Sequence, residues 1–182
     1  RMQRVKFLKG KYMAKSVKEY IEENEARFLE EWFSLIRIPS VSADPAHKND
    51  MVACAERWRD LLLEAGADEA RLMPSSGNPL VYADKRVGED APTVLVYGHY
   101  DVMPAEPLDL WKSDPFEPEV RDGHVFARGA DDDKGQSMIQ LKAFEYMVRE
   151  GALRHNVKFI LEGEEKIRSP SLNAYLLEKR EQ

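Results

Sequence analysis

The apolar run Thr93-Val94-Leu95-Val96-Tyr97 closes on Gly98-His99-Tyr100-Asp101, which sets an imidazole and a carboxylate two residues apart. Side chains of a strand alternate with period two, so His99 and Asp101 point to the same side, and Gly98 leaves space beside them. A Val/Leu run bounded by glycine reads as a strand covered on both faces, and in α/β sheets ligands collect beyond the carboxyl ends of such strands. A lone histidine there is more often a hydrogen-bonded structural group than a metal ligand. Asp101 shifts that balance, because a carboxylate beside a metal-binding imidazole fixes its tautomer and orientation.

Two further segments carry acids at similar places. Arg128-Gly129-Ala130-Asp131-Asp132-Asp133-Lys134-Gly135 directly precedes a helical stretch that runs to about Glu150. Adjacent aspartates repel one another, and helix capping accounts for one of them. The surplus suggests a cation, since oxygen ligands beside an imidazole suit zinc or a similar divalent ion. The second segment follows the run Val157-Lys158-Phe159-Ile160-Leu161 and reads Glu162-Gly163-Glu164-Glu165. A carboxylate near a metal-bound water can take its proton, because the metal lowers that water's pKa from about 15.7 towards 7. Glu165 is the candidate base. Alone, such a cluster reads more readily as a solvated loop or a helix N-terminus. A shift by one residue, with Glu165 as ligand and Glu164 as base, requires that the chain has already left the sheet.

The elements that must position these groups are legible in the apolar spacing. Val17, Tyr20, Ile21, Phe28, Leu29, Trp32, Leu35 and Ile36 recur at helical intervals, with Ser16 as N-cap and Pro39 as stop. A second helix is expected from about Asn49 to Ala65, ending at Gly66. Strands are expected over Leu80 to Ala83 and Thr93 to Tyr97, and Asp122-Gly123 reads as a hairpin turn. The alternation predicts an α/β domain: a mostly parallel sheet with helices on both faces and an antiparallel hairpin within it.

The order of Gly98-His99-Tyr100-Asp101-Val102, the Pro-rich stretch with Trp111 and Asp114-Pro115-Phe116, Arg128 to Gly135, and Glu162-Gly163-Glu164-Glu165 resembles the co-catalytic zinc peptidases that include carnosinase, cytosolic dipeptidase and aminoacylase. The resemblance covers about residues 15 to 178 and implies the amino-terminal part of a catalytic domain. It implies His99 as a terminal zinc ligand, Asp132 as a bridge between two zinc ions, Asp101 as the group orienting His99, and Glu165 as the base. The implied reaction is hydrolysis of the amide bond of a dipeptide or small N-acyl amino acid by a water shared between the ions. A homodimer is possible for the full-length family member.

The sequence departs from that pattern. Lys166 stands where the family has a glutamate ligand, and Arg168 stands where it has glycine. A protonated lysine has no lone pair for zinc. Exchanging carboxylate for ammonium turns attraction into repulsion, roughly 4 kcal/mol per pair of unit charges at 4 Å and an effective permittivity of 20. Arginine resists any positive φ that glycine would have supplied. The remaining ligands implied by the resemblance fall outside the sequence, so an inactive relative serving as a binding or assembly module is the rival reading.

With 182 residues, 43% hydrophobic, the chain can bury a core, and one domain over 16–182 is the simplest division. Net charge is −6, from 27 basic and 33 acidic residues, which disfavours nucleic acid as a partner. No apolar stretch approaches a membrane span, and the lone Cys54 excludes an internal disulfide and fits the cytoplasm. Residues 1–15 form a basic tail, expected to be a disordered end. His47, His124 and His155 lack a carboxylate at metal-site spacing, and Arg128 and Lys134 are expected to balance the aspartates.

Overall fold

The computed structural model describes residues 15–180, so the expected basic tail lies outside the described residues except for Lys15. Helix α1, Val17–Ile36, starts on a reciprocal cap in which Ser16 Oγ accepts the Glu19 N–H at 3.3 Å and Glu19 accepts the Ser16 N–H at 2.9 Å. Helix α2, Lys48–Glu64, gives way to Gly66 at φ +105°, a backbone conformation that glycine tolerates without a side-chain penalty. Strands β1 (Glu69–Met73), β2 (Leu80–Lys85) and β3 (Thr93–His99) follow. After the hairpin strands β4 (Glu119–Arg121) and β5 (His124–Phe126) come helix α3 (Lys134–Arg149), strand β6 (Asn156–Glu162) and helix α4 (Leu172–Lys179).

The α/β class holds, but the sheet is mixed rather than mostly parallel. Its order is β1-β2-β6-β3, and of its pairings β3–β6 is parallel while β1–β2 and β2–β6 are antiparallel. Strand β1, Glu-Ala-Arg-Leu-Met, is too polar to announce itself in the sequence, and the short loop to β2 permits only antiparallel pairing. The hairpin is present, with Asp122 at φ +50° and Gly123 at φ +75° in its turn, yet β4 and β5 form a separate two-stranded sheet.

Helices on both faces also require correction. Leu35 of α1, Cys54, Trp58 and Leu62 of α2, and Met138, Leu141 and Phe144 of α3 all join one core with Val81, Ala83, Val157, Phe159 and Leu161. These strand residues share one parity, so the three long helices cover one face. On the other face Leu95 is 57% and Tyr97 48% exposed, and β3 is the edge strand, not one covered on both sides. Cys54 is fully buried. Among the described residues no helix is long and apolar enough to cross a membrane.

Candidate metal centre

Parallel pairing of β3 and β6 brings His99 opposite Glu162, so both strands end at the same edge. Past β6 the chain leaves the sheet through Gly163 and enters a 3-10 turn, Glu165–Ile167. Asp101 anchors that turn. Its fully buried carboxylate accepts the Glu165 N–H at 3.2 Å, the Lys166 N–H at 2.9 Å and the Ser42 hydroxyl at 2.5 Å. His99 Nδ1 lies 3.0 Å from the Asp101 carbonyl and 3.2 Å from its carboxylate. A carbonyl can only accept, so Nδ1 carries a proton, and whenever the ring is neutral the lone pair is on Nε2. That nitrogen stands 3.1 Å from Asp132 Oδ1 and 3.7 Å from Glu165 Oε2. The four residues singled out by the sequence therefore meet in one place.

Burial works against the charged form of His99, but the hydrogen bond and charge of Asp101 outweigh it and raise the pKa above the ordinary value. For Asp101 burial pushes upwards, and the bonds from His99, Ser42 and the Lys166 N–H bring it below the usual carboxylate range. Asp132 is lowered by its bond to Lys166.

Several neighbouring residues serve other ends than the sequence suggested. No aspartate side chain caps α3. Asp133 Oδ2 instead accepts the His99 N–H at 3.0 Å and the Ser137 hydroxyl at 2.8 Å, tying β3 to α3. The space beside Gly98 is filled by these groups, since a Cβ there would stand 2.2 Å from Ser137 Oγ. Lys134 does not balance the aspartates. It is fully buried and donates to the carbonyls of Leu35 and Ile38, both at 2.8 Å, at the end of α1. Arg128 lies over the Trp111 ring at 5.5 Å, and its N–H bonds the Pro115 carbonyl, so the Pro-rich loop packs on the hairpin side. His47 does have a carboxylate partner, Asp50 at 2.7 Å, one helical turn on. The exchange of roles between Glu164 and Glu165 is ruled out, because the buried Glu164 carboxylate accepts the N–H groups of Asn78 and Ser171, both at 3.0 Å. An apolar groove of about 780 Å³ between α1 and α3, walled by Phe28, Trp32, Met138 and Ile139, includes none of the four site residues.

Sequence reasoning missed Ser42, which no motif marks, and the position taken by the Lys166 ammonium. Its Nζ lies 2.6 Å from Asp132 Oδ2 and 3.0 Å from Glu165 Oε2. Burial lowers its pKa, but those two acids raise it further, so it is charged. Arg168 sits at φ +76°, the left-handed region that its family counterpart, glycine, would enter without strain. His99 Nε2 and Asp132 Oδ1 are spaced close to the roughly 3.4 Å edge of a tetrahedron with bonds of about 2.1 Å, which suits two ligands of one zinc ion. Among the described residues no three His, Cys, Asp or Glu side chains group into a full metal site. The residues thus fit part of one ion's shell and do not fit a second, because an ammonium holds the carboxylates it would need.

A mixed α/β sheet with an imidazole and carboxylates gathered at its strand ends is an arrangement that can contribute ligands to a divalent ion. The chain matches the model of Peptidase family M20/M25/M40 over residues 95–180, just under half of its length. It is 33% identical over 144 residues to the cysteinylglycine-S-conjugate dipeptidase of Corynebacterium striatum, covering 79% of this chain and 32% of that protein. To the human Beta-Ala-His dipeptidase it is 30% identical over 181 residues, covering 92% and 35%. The crystal structure of human carnosine dipeptidase 1 superposes with a TM-score of 0.81 at 26% identity, over 90% of this chain and 37% of that one. The chain thus spans about a third of the length of the curated relatives it matches.

Proposed function

We propose that residues 16–182 form the amino-terminal part of the catalytic domain of a metal-dependent hydrolase that cleaves the amide bond of dipeptides or small N-acyl amino acids. One observation carries the reading: the carboxylates of Asp132 and Glu165, from two other segments, lie within 3.7 Å of His99 Nε2. Relatives named for cysteinylglycine conjugates and Beta-Ala-His support a dipeptide as substrate.

In this reading His99 Nε2 and Asp132 hold one zinc ion together with ligands from elsewhere in the longer protein. Bound there, zinc supplies a Lewis acid for the amide carbonyl and for water. Asp101 holds the imidazole in the tautomer that leaves Nε2 free. Glu165, 40% exposed and beside Nε2, accepts the proton of the attacking water at its carboxylate. A cytosolic setting goes with the reading, supported by a single cysteine that is buried.

The Lys166 ion pairs favour a second reading, a degenerate relative whose surface serves binding or assembly. Release of free amino acids from Cys-Gly and β-Ala-His with zinc or manganese separates the two. Turnover by the longer protein carrying this segment, lost in Glu165→Gln and in His99→Ala, supports the hydrolase. No turnover with either metal selects the second reading.

A further inference from the structure

The pocket contains a cation of its own. A lysine on a protein surface samples many rotamers, and its ion pairs there contribute little. Lys166 is held differently. Its side chain is only 13% exposed, its N–H is fixed on Asp101 at 2.9 Å, and its Nζ touches Asp132 at 2.6 Å and Glu165 at 3.0 Å. The carboxylate that aligns His99 thus also sets the point from which the Lys166 stem starts, and the stem delivers its charge between the two other acids of the site.

We propose that the Lys166 ammonium is a tethered counter-ion, occupying the place between Asp132 and Glu165 so that the pocket takes one divalent ion at His99 and no second. An ammonium offers three donors and no lone pair, so it balances the carboxylates without acting as a Lewis acid. Three groups face it: the Asp132 carboxylate, the Glu165 carboxylate and, through charge interaction, the His99 imidazole. Two acids and one ammonium leave a net negative pocket, which still attracts a single cation. The inference rests on the reading of this site as metal-holding.

Zinc stoichiometry by calorimetry and elemental analysis, with melting temperature in EDTA, tests it on the chain and its Lys166 variants. Lys166→Glu should gain one zinc ion over the unsubstituted chain. Lys166→Met should melt several degrees lower in EDTA and recover when zinc is added, whereas Lys166→Arg should melt like the unsubstituted chain. Far-UV circular dichroism checks that each variant folds. Two zinc ions on the unsubstituted chain, an unchanged stoichiometry in Lys166→Glu, or an unchanged melting temperature in Lys166→Met would overturn the proposal. His99→Ala separates it from the underlying reading. If bound zinc persists in that variant, the site reading fails, while the Lys166→Met melting shift in EDTA still decides the counter-ion.

Discussion

His99 and Asp101 meet twice, since Nδ1 of the imidazole faces both the backbone carbonyl of Asp101 at 3.0 Å and its carboxylate at 3.2 Å. The double contact fixes the ring plane as well as the tautomer. The same carboxylate also receives two N–H groups of the 3-10 turn. Aim of the ligand and position of the base therefore depend on one buried side chain.

Asp101→Asn should accordingly do more than weaken one bond. An amide NH2 turned towards any of these donors leaves it unpaired, so stability should fall by about 2 kcal/mol. Zinc affinity should fall 10- to 100-fold, the usual effect of losing the group that orients a ligating histidine. Chemical denaturation and zinc calorimetry on the same samples check both; a variant that loses stability but keeps its affinity contradicts the orienting role.

Acid stability should be governed by Glu145, far from the site. Burial raises its pKa, but bonds from Arg27 and Lys142 bring it from 4.5 down to about 2. A carboxyl whose folded pKa is depressed stabilises the protein above its unfolded value, and the contribution disappears as pH falls from 4.5 through about 2. Glu145→Gln should therefore cost about 2 kcal/mol at neutral pH. Its melting temperature should also decline less steeply than that of the unsubstituted chain between about pH 5 and pH 3.

Arg168→Gly should raise stability by about 1 kcal/mol, because the φ of +76° costs arginine what it does not cost glycine. Arg168→Ala, which keeps the Cβ, should give no such gain. Equal melting temperatures for the glycine variant and the unsubstituted chain would contradict the strain.

Lys134→Met should destabilise by about 2 kcal/mol, since the buried carbonyls of Leu35 and Ile38 would each lose their donor at 2.8 Å. The loss should appear in hydrogen exchange as earlier opening of the last turn of α1. Unchanged exchange there would show that the ammonium is not what holds that turn.

The helices and the site were legible in the sequence for different reasons. Ser16, Gly66, and Asp122-Gly123 are local signals, and each stands where the structure uses it. The convergence of His99, Asp101, Asp132 and Glu165 was legible because each lies at or just beyond a strand or before a helix, where α/β folds gather ligands. Strand direction was not legible. It depends on β1, whose polar residues carry no alternation, and on pairings between β2 and β6, far apart in sequence. Roles within acidic clusters were hidden too: Asp133 and Glu164 stand among the candidate acids and Lys134 reads as their counter-charge, and only their partners across the fold show them to be struts.

The most direct measurement is a crystal of the chain soaked in zinc, with anomalous diffraction recorded at the zinc absorption edge. The account predicts one peak within about 2.2 Å of both His99 Nε2 and an Asp132 oxygen, with Glu165 beside it and the Lys166 ammonium still on the carboxylates. A zinc ion held away from His99, or His99, Asp132 and Glu165 found on separate surfaces, would contradict it.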